Sequence, residues 1–162
     1  MLLALDLGTT CGYAFSNAAG AVVSGVWDLR PKKYEGGGFR FVKFKTYLSV
    51  LHASDPITQV WFEAVRRHVG TDAAHIYGGL MGALQEFCDG RGIPYEGVPV
   101  QTIKKGWTGK GNASKELMIA RCEELGFEPQ DDNEADAIAI LCLQHPVCLE
   151  GGVVACSRRG AA

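Results

Sequence analysis

Two carboxylates that each end an apolar segment are the side chains in this sequence best suited to chemistry. Asp6 follows the apolar residues 2–5, and Glu63 follows the segment 57–62. An apolar run of this length, bounded by turn residues, is typical of a buried strand. Burying an unpaired carboxylate costs several kcal/mol, so Asp6 requires a partner. A metal ion is one candidate, and capping of the turn beside Gly8 is the structural alternative.

The ends of the two strands predict where these carboxylates lie. Adjacent parallel strands are about 4.8 Å apart, so side-by-side strand ends would bring Asp6 close to Glu63. Two carboxylates at that separation repel each other unless they share a proton or a cation.

A third group of acids opens the last predicted helix, where 131–136 holds four acids in six residues. Acids at a helix N-terminus are favoured by the macrodipole, so capping explains part of this cluster. Asp132 and Asp136 are four residues apart, and Asn133 and Asp136 are three apart, so either pair shares one helix face. Three small residues would let this helix press against a sheet and bring an acid pair beside Asp6 and Glu63: Ala135, Ala137 and Ala139.

A cluster of this composition favours one kind of metal chemistry. Oxygen-only ligands prefer Mg²⁺ or Mn²⁺ to zinc. Two such ions about 4 Å apart can activate a water and stabilise the leaving oxygen in phosphodiester hydrolysis. The sequence shows no Ser-His-Asp or Cys-His arrangement that would suggest nucleophilic catalysis by a side chain.

Basic residues lie in two other segments. Residues 97–115 hold four lysines and no acid. Their glycine-rich part lies before a predicted helix, an arrangement that suits phosphate binding. It lacks the spacing of a P-loop, so a nucleotide site is not indicated. Residues 30–45 hold six bases and one acid, Glu35. That second segment is either a solvated loop and helix face or a nucleic-acid contact.

Length and composition indicate a globular protein with one domain, 1–149, followed by a short flexible tail, 150–162. The chain has 162 residues, of which 47% are hydrophobic and 21% charged. The net charge of −2 does not itself suggest nucleic-acid binding, although local charge matters more. We expect no signal peptide and no membrane span, because the start lacks a basic region and the apolar run 137–143 is too short. The six cysteines are expected to be reduced.

Periodicity predicts the order of elements. Strands are expected at 2–7, 11–16 and 21–27 as an antiparallel meander, then at 57–62 and 93–98. Helices are expected at 39–53, at 73–89, from a cap at Asn112 or Ser114 to about 125, and at 131–144. A turn or short helix is expected at 99–105, and a flexible basic loop at 106–112. The glycines of the second helix suit either close packing against a partner subunit or core packing within the chain: Gly78, Gly79 and Gly82.

This order of elements and several motifs resemble the RuvC family of Holliday-junction resolvases, which has the ribonuclease H-like fold. The resemblance covers roughly residues 2–145. The segments that carry it are Leu5-Asp6-Leu7-Gly8 with Gly12, Phe62-Glu63, Val100-Gln101-Thr102-Ile103-Lys104, Gly109-Lys110-Gly111-Asn112-Ala113-Ser114-Lys115 and Ala135-Asp136-Ala137-Ile138-Ala139.

The resemblance implies an α/β fold with a central mixed five-stranded sheet, its first three strands antiparallel, flanked by helices. It implies an endonuclease that cuts four-way junctions as a homodimer, with two Mg²⁺ per subunit (or Mn²⁺ in their place), and leaves a 5′-phosphate and a 3′-hydroxyl. It implies no nucleotide cofactor and no membrane association. The cellular site would be the cytoplasm of a bacterium or of a phage-infected host.

The resemblance also implies roles for individual residues. Asp6, Glu63 and Asp136 would be metal ligands, Lys104 and Lys115 would lie beside the scissile phosphate, and Lys115 would take part in catalysis. Nucleic acid would be held by six basic residues: Arg66, Arg67, Lys104, Lys105, Lys110 and Lys115.

Two departures from the family pattern affect these expectations. Asn133 stands where the family has an aspartate, so Asp132 is our choice for the fourth ligand, ahead of Glu134. Arg66 stands where typical bacterial members have a stacking aromatic residue, and a guanidinium can stack on a base or hold a phosphate instead. The compact chain and these departures look more like phage-type members.

Three other functions compete with this one. A ribonuclease H-like scaffold that binds branched nucleic acid without cutting it is kept open by Asn133. A related nuclease could act on RNA or on other branched DNA. The segment 6–10 also resembles the phosphate motif of sugar kinases and chaperone ATPases, but those folds need two lobes and 162 residues supply one.

Overall fold

In the part of the chain that the structure describes, five strands form a single mixed sheet. The protein is represented by a computed structural model that describes residues 1–17, 20–66 and 70–146. The strands are β1 (Leu2–Asp6), β2 (Thr10–Ser16), β3 (Val22–Asp28), β4 (Gln59–Ala64) and β5 (Tyr95–Pro99), in the spatial order β3-β2-β1-β4-β5. β2 pairs antiparallel with both β1 and β3, whereas β4 pairs parallel with both β1 and β5. The predicted mixed sheet with an antiparallel meander is confirmed.

This pairing brings four strand ends together. Because β3 and β1 both run antiparallel to β2, β3 has the same direction as β1, β4 and β5. We call the end of the sheet where these four strands finish its carboxyl end. Asp6 and Glu63 both lie there, as expected from the pattern of apolar strands that finish in a carboxylate.

Within the described ranges, five helices flank the sheet: α1 (Phe39–Ser54), α2 (Thr71–Asp89), α3 (Val100–Thr108), α4 (Lys115–Glu124) and α5 (Asp132–Gln144). None of the helices in the described ranges is both long enough and apolar enough to cross a membrane. The described cysteines, Cys11, Cys88, Cys122 and Cys142, are free and buried. Most predicted boundaries are within two residues of those observed. The predicted domain limit at 149 and the tail 150–162 lie outside the described residues.

The predicted flexible loop over 106–112 is wrong in its first half. α3 continues to Thr108, because Ile103 and Trp107, four residues apart, both bury their side chains on one helix face. Gly109 then ends the helix with a left-handed φ of 78°, which glycine adopts without strain. Only the segment 109–114 therefore connects α3 to α4.

The two faces of the sheet carry separate cores. Leu3 and Leu5 point into one core with side chains of α1 and α2, whereas Ala4 points into the other core, with α3, α4 and α5. Since side chains alternate along a strand, Asp6 points to the same face as Ala4. α5 lies on that face, between the sheet and α3 and α4, and buries six consecutive residues, 137–142.

Gly12 allows α5 to touch the sheet beside Asp6. Gly12 of β2 is the register partner of Asp6 in β1. A Cβ added to Gly12 would lie 1.9 Å from the backbone oxygen of Asn133 and 2.3 Å from its carbonyl carbon. The backbone of the first turn of α5 therefore occupies the space that any side chain at position 12 would need.

We expect Gly12→Ala to destabilise the protein by about 3 kcal/mol or more, because the new methyl group meets rigid backbone and α5 has to move. Urea unfolding followed by circular dichroism measures this change. Gly38→Ala is the matched control: Gly38 has φ −69° and ψ −18° and open space at its Cβ, so alanine there should be neutral or stabilising by up to about 1 kcal/mol. Equal stability of wild type and Gly12→Ala would contradict the close approach.

Candidate active site

Asp6 and Glu63 lie side by side at the carboxyl end of neighbouring parallel strands. The register pairs Leu5 with Phe62, which places the two carboxylates next to each other. Their side chains share a hydrogen bond, in which a protonated Asp6 donates to Glu63. Burial, then repulsion from Glu63 and Asp136, raises the pKa of Asp6 well above its usual value. Burial also raises the pKa of Glu63, against the lowering effects of the hydrogen bond with Asp6 and of Lys104.

Asp136 is the third member of this cluster and comes from the second turn of α5. Burial and repulsion from Glu63 raise its pKa to about 7, despite attraction to Lys104. Its Oδ1 atom is buried without a hydrogen-bond partner in the described part of the chain. A buried oxygen of this kind costs free energy until a donor or a cation reaches it.

The other acids at the start of α5 have separate positions. Asp131 caps the helix by accepting from the backbone N–H of Glu134 at 2.9 Å, and its second oxygen accepts from the amide of Asn133 at 3.1 Å. Glu134 is only 1% exposed, and its two oxygens accept from the Ser24 hydroxyl at 2.7 Å and from the backbone N–H of Gln130 at 2.9 Å. The structure therefore turns Glu134 toward β3 and away from the cluster.

Asp132 lies at the outer border of the cluster. Its Oδ2 is 2.5 Å from Nζ of Lys115, and its charge adds to the raised pKa values of Asp6 and Asp136. Lys115 is 70% exposed and begins α4, directly after the capping residue Ser114. The ion pair raises the pKa of Lys115.

The predicted phosphate-binding residues differ in their distance from the cluster. Lys104 is partly buried, donates to the backbone oxygen of Ala113 at 3.0 Å, and attracts both Glu63 and Asp136. Lys104 and Lys115 are therefore the two lysines that act electrostatically on the cluster. Three further predicted residues are exposed side chains on nearby elements: Lys105, Lys110 and Arg66. Arg67 lies outside the described residues.

Two supporting contacts are not apparent from the sequence. Tyr77 of α2 donates to the backbone oxygen of Glu63 at 2.8 Å and accepts from the N–H of Val65 at 3.2 Å, which fixes the end of β4. Its spacing to Leu80 and Leu84 marks it as a buried helix residue but does not reveal its partner. The bond between Ser24 and Glu134 joins residues 110 positions apart, and no local pattern indicates it.

The cluster suits a divalent cation in its chemistry. Its donors are all oxygens, its carboxylates repel one another, and one buried oxygen of Asp136 has no partner in the described residues. The described residues do not contain three His, Cys, Asp or Glu side chains already arranged as a metal-binding group. Binding would thus require Asp6 and Glu63 to give up their shared proton and turn their oxygens toward a common point.

Comparison with known proteins gives a result only at the level of structure. No protein-family model matches the chain, and no curated protein matches it in sequence. Thermus thermophilus RuvC in complex with a Holliday junction substrate superposes with a TM-score of 0.69 at 20% identity, over 93% of this chain and 95% of that chain.

Two further structures give the same result. A structure of Thermus thermophilus RuvC has a TM-score of 0.65 at 24% identity, over 93% of this chain and 96% of that one. The yeast mitochondrial Holliday junction resolvase Ydc2 has a TM-score of 0.55 at 13% identity, over 93% and 80%. The predicted ribonuclease H-like fold is confirmed.

Without a divalent cation, we expect the stability of the protein to fall as the pH rises from about 4 to about 8. Asp6 and Asp136 bind protons more tightly in the folded than in the unfolded chain, where a carboxyl titrates near 4. Folding is therefore favoured at low pH, and this advantage, on the order of a few kcal/mol, is lost through pH 7. Thermal unfolding in EDTA across this range measures it.

Asp136→Asn should flatten that pH dependence and raise the melting temperature at pH 8, because the amide carries no charge. Asp89→Asn, an exposed acid at the end of α2, should leave the profile unchanged. Added Mg²⁺ should raise the melting temperature of the wild type at pH 8 more than that of Asp136→Asn. Identical profiles for wild type and Asp136→Asn would show that the cluster is not strained by its charge.

Proposed function

We propose that the protein is a divalent-metal-dependent endonuclease that resolves Holliday junctions or related branched DNA. The observation that carries this proposal is the convergence of Asp6, Glu63 and Asp136, from three different elements, beside Lys104 and Lys115. The fold adds support, since a RuvC structure with this fold contains a Holliday junction substrate. We also propose that the protein works in the cytoplasm of a bacterium or a phage-infected host.

Asp6, Glu63 and Asp136 would hold Mg²⁺, or Mn²⁺ in its place, with two ions per subunit. Bound metal would supply an activated water and stabilise the leaving oxygen, which gives a 5′-phosphate and a 3′-hydroxyl. Lys104 would hold a phosphate oxygen, because its contact with Ala113 directs its ammonium group to the border of the cluster. The low exposure of Glu63, at 9%, keeps competing water away from its carboxylate.

Asp132 is our choice for the fourth carboxylate. Both oxygens of Glu134 are engaged with Ser24 and Gln130, and the amide nitrogen of Asn133 is engaged with Asp131. Asp132 instead has its carboxylate beside Lys115 and close enough to affect Asp6. If Asp132 turned to a metal, Lys115 would lose its partner and its charge would become available to a phosphate oxygen.

We also propose that two copies pair through the surface along α1 and α2. A shallow cleft of about 610 Å³ is lined by Phe41, Val42, Lys45, Thr46, Ser49, Val50 and Ala53. Val42 and Val50 are 54% and 62% exposed, and on α2 a Cβ at Gly78 or Gly82 would meet nothing within 4 Å. Gly79, in contrast, packs against the ring of Phe41 in the same chain. Exposed apolar and small residues suit close approach of a second copy, and a two-fold dimer suits a two-fold junction.

A second candidate function is binding of branched nucleic acid without cutting. Asn133 supports it, because an amide in place of a carboxylate removes one charge from the candidate metal site. A nuclease that acts on RNA or on another branched DNA is a variant of the first proposal with the same chemistry.

We expect the wild type to cut a labelled immobile four-way junction with paired symmetric nicks in Mg²⁺, and to be inactive in EDTA. Asp6→Asn should reduce the cleavage rate about 100- to 1,000-fold, by analogy with the loss of a charge-stabilising group from a catalytic site. The exposed control Asp89→Asn should cut at the wild-type rate. Gel analysis of single-turnover reactions measures all three.

The same assay distinguishes junction cleavage from the other candidate functions. Tight junction binding by the wild type without cutting in Mg²⁺ or Mn²⁺ would favour the non-cutting scaffold. Faster cutting of linear duplex or of RNA than of the junction would assign the chemistry to another substrate.

We expect the wild type to sediment as a dimer and Val50→Glu to sediment as a monomer with unchanged circular dichroism. The new carboxylate would be desolvated at the interface, which should raise the dimer dissociation constant at least tenfold. Leu117→Glu, at an exposed apolar residue of α4 on the other face of the sheet, should remain a dimer. A monomeric wild type, or a dimeric Val50→Glu, would overturn this interface.

A further inference from the structure

The segment between β3 and α1 presents the most exposed of the large apolar side chains in the described residues. Tyr34 is 91% exposed, far more than Phe39 at 42%. The Nζ atom of Lys33 lies 5.4 Å from the centre of the Tyr34 ring. An aromatic face with an adjacent cation is the combination that binds a nucleobase and its phosphate.

A hydrogen-bonded turn holds Tyr34 in this exposed position. The backbone N–H of Glu35 donates to the oxygen of Lys32 at 2.9 Å, so Lys33 and Tyr34 are the two central residues of a β-turn. The Glu35 carboxylate accepts from the N–H of Lys32 at 2.7 Å and forms an ion pair with Lys43 of α1 at 3.1 Å. The ring is thus displayed by a fixed turn.

The charge of the segment suits a polyanion. Residues 30–45 hold six bases and one acid, and that acid is engaged within the turn. In the described part of the chain, neither Lys32 nor Lys33 forms a salt bridge, whereas Arg30 is paired with Asp28 at 2.7 Å. The exposed ammonium group of Lys33 therefore lies beside the Tyr34 ring without a salt-bridge partner in the described residues. Lys32, in contrast, is partly compensated by Glu35, whose pKa is lowered by the backbone N–H of Lys32 and by its charge.

The turn also lies at the carboxyl end of the sheet, where Asp6 and Glu63 lie. β3 ends at Asp28, and the N–H of the buried Leu29 then donates to the oxygen of Thr9 at 2.8 Å. Two strand spacings separate β3 from β1, so the segment starts about 10 Å from the strand that carries Asp6. A nucleic-acid strand with its phosphate at the carboxylates could reach the turn within a few nucleotides.

We propose that Tyr34 stacks on an unpaired nucleobase a few nucleotides from the scissile phosphate, with Lys33 on the adjacent backbone phosphate. The inference rests on the proposed function and names the part of the substrate that this surface recognises. Bases inside a continuous duplex are already stacked on their neighbours, so the open face of Tyr34 can be used only where a base is unstacked. The turn would therefore favour branch points and single strands over linear duplex.

Fluorescence anisotropy in EDTA tests this proposal with a labelled four-way junction, a single strand and a linear duplex. Tyr34→Ala should weaken binding to the junction and the single strand about tenfold, within the range measured for lost base stacking. Tyr34→Phe keeps the ring and should bind as the wild type does. Neither variant should change duplex affinity more than about twofold.

Lys33→Ala should weaken binding to all three DNAs and reduce the slope of log affinity against log salt by about one. Arg91→Ala is its control, since Arg91 is an exposed base near the start of β5, at the opposite end of the sheet, and should change neither quantity. Wild-type affinity of Tyr34→Ala for both junction and single strand would overturn the proposal. Equal losses on all three DNAs by Tyr34→Ala would overturn it as well, since stacking would then not be the cause.

Parallel cleavage in Mg²⁺ separates this inference from the proposed function. If the wild type cuts the junction and Tyr34→Ala binds it normally, only the stacking inference fails. If the wild type binds but does not cut, and Tyr34→Ala still loses affinity for unpaired DNA, the nuclease proposal fails and the stacking surface stands. A wild type that binds no nucleic acid overturns both.

Discussion

The crowding of three largely buried carboxylates at the carboxyl end of the sheet is the constraint on which the rest of this structure depends. Burial and repulsion from Glu63 raise the pKa of both Asp6 and Asp136, and repulsion from Asp136 adds to the effect on Asp6. Asp136 also keeps one oxygen unsatisfied among the described residues. Such a cluster persists only if the surrounding structure holds it together against that repulsion. Two separate apolar cores, one on each face of the sheet, supply the stability that this requires.

The contact between α5 and the sheet is the part of the fold that most directly maintains the cluster. Gly12 lets the backbone at Asn133 reach β2, and the bond from Ser24 to Glu134 fixes the same turn to β3. The acids of this turn therefore divide their roles: Asp131 caps the helix, Glu134 anchors it, Asp132 pairs with Lys115, and Asp136 completes the cluster. Capping alone would have needed only one of them.

Features encoded locally could be predicted from the sequence, and features that depend on distant contacts could not. An apolar run followed by one carboxylate identifies both strand ends, and small residues in α5 predict close packing on the sheet. Helix spacing, however, makes Asp132 and Asn133 equally able to share a face with Asp136. The two side chains differ in their contacts, because Asp132 pairs with Lys115 and the amide of Asn133 donates to Asp131. The burial of Glu134 depends on Ser24, 110 residues earlier. The glycines of 106–111 predict a loop, whereas α3 continues to Thr108 because Trp107 packs against side chains of other helices.

The distribution of charge explains how a chain with a net charge of −2 could approach a polyanion. The carboxylates are gathered at one point, and that point is bordered by Lys104 and Lys115 on one side, while the turn with Lys32 and Lys33 lies at the same end of the sheet. A phosphate would meet attraction at the borders before it met repulsion at the centre. The centre itself stays repulsive to a phosphate unless protons or cations neutralise it, since Glu63 is 9% exposed and screened little by water. Protons would achieve this only below the pKa of about 7 of Asp136, so at higher pH a divalent cation is the neutralising group that this arrangement requires.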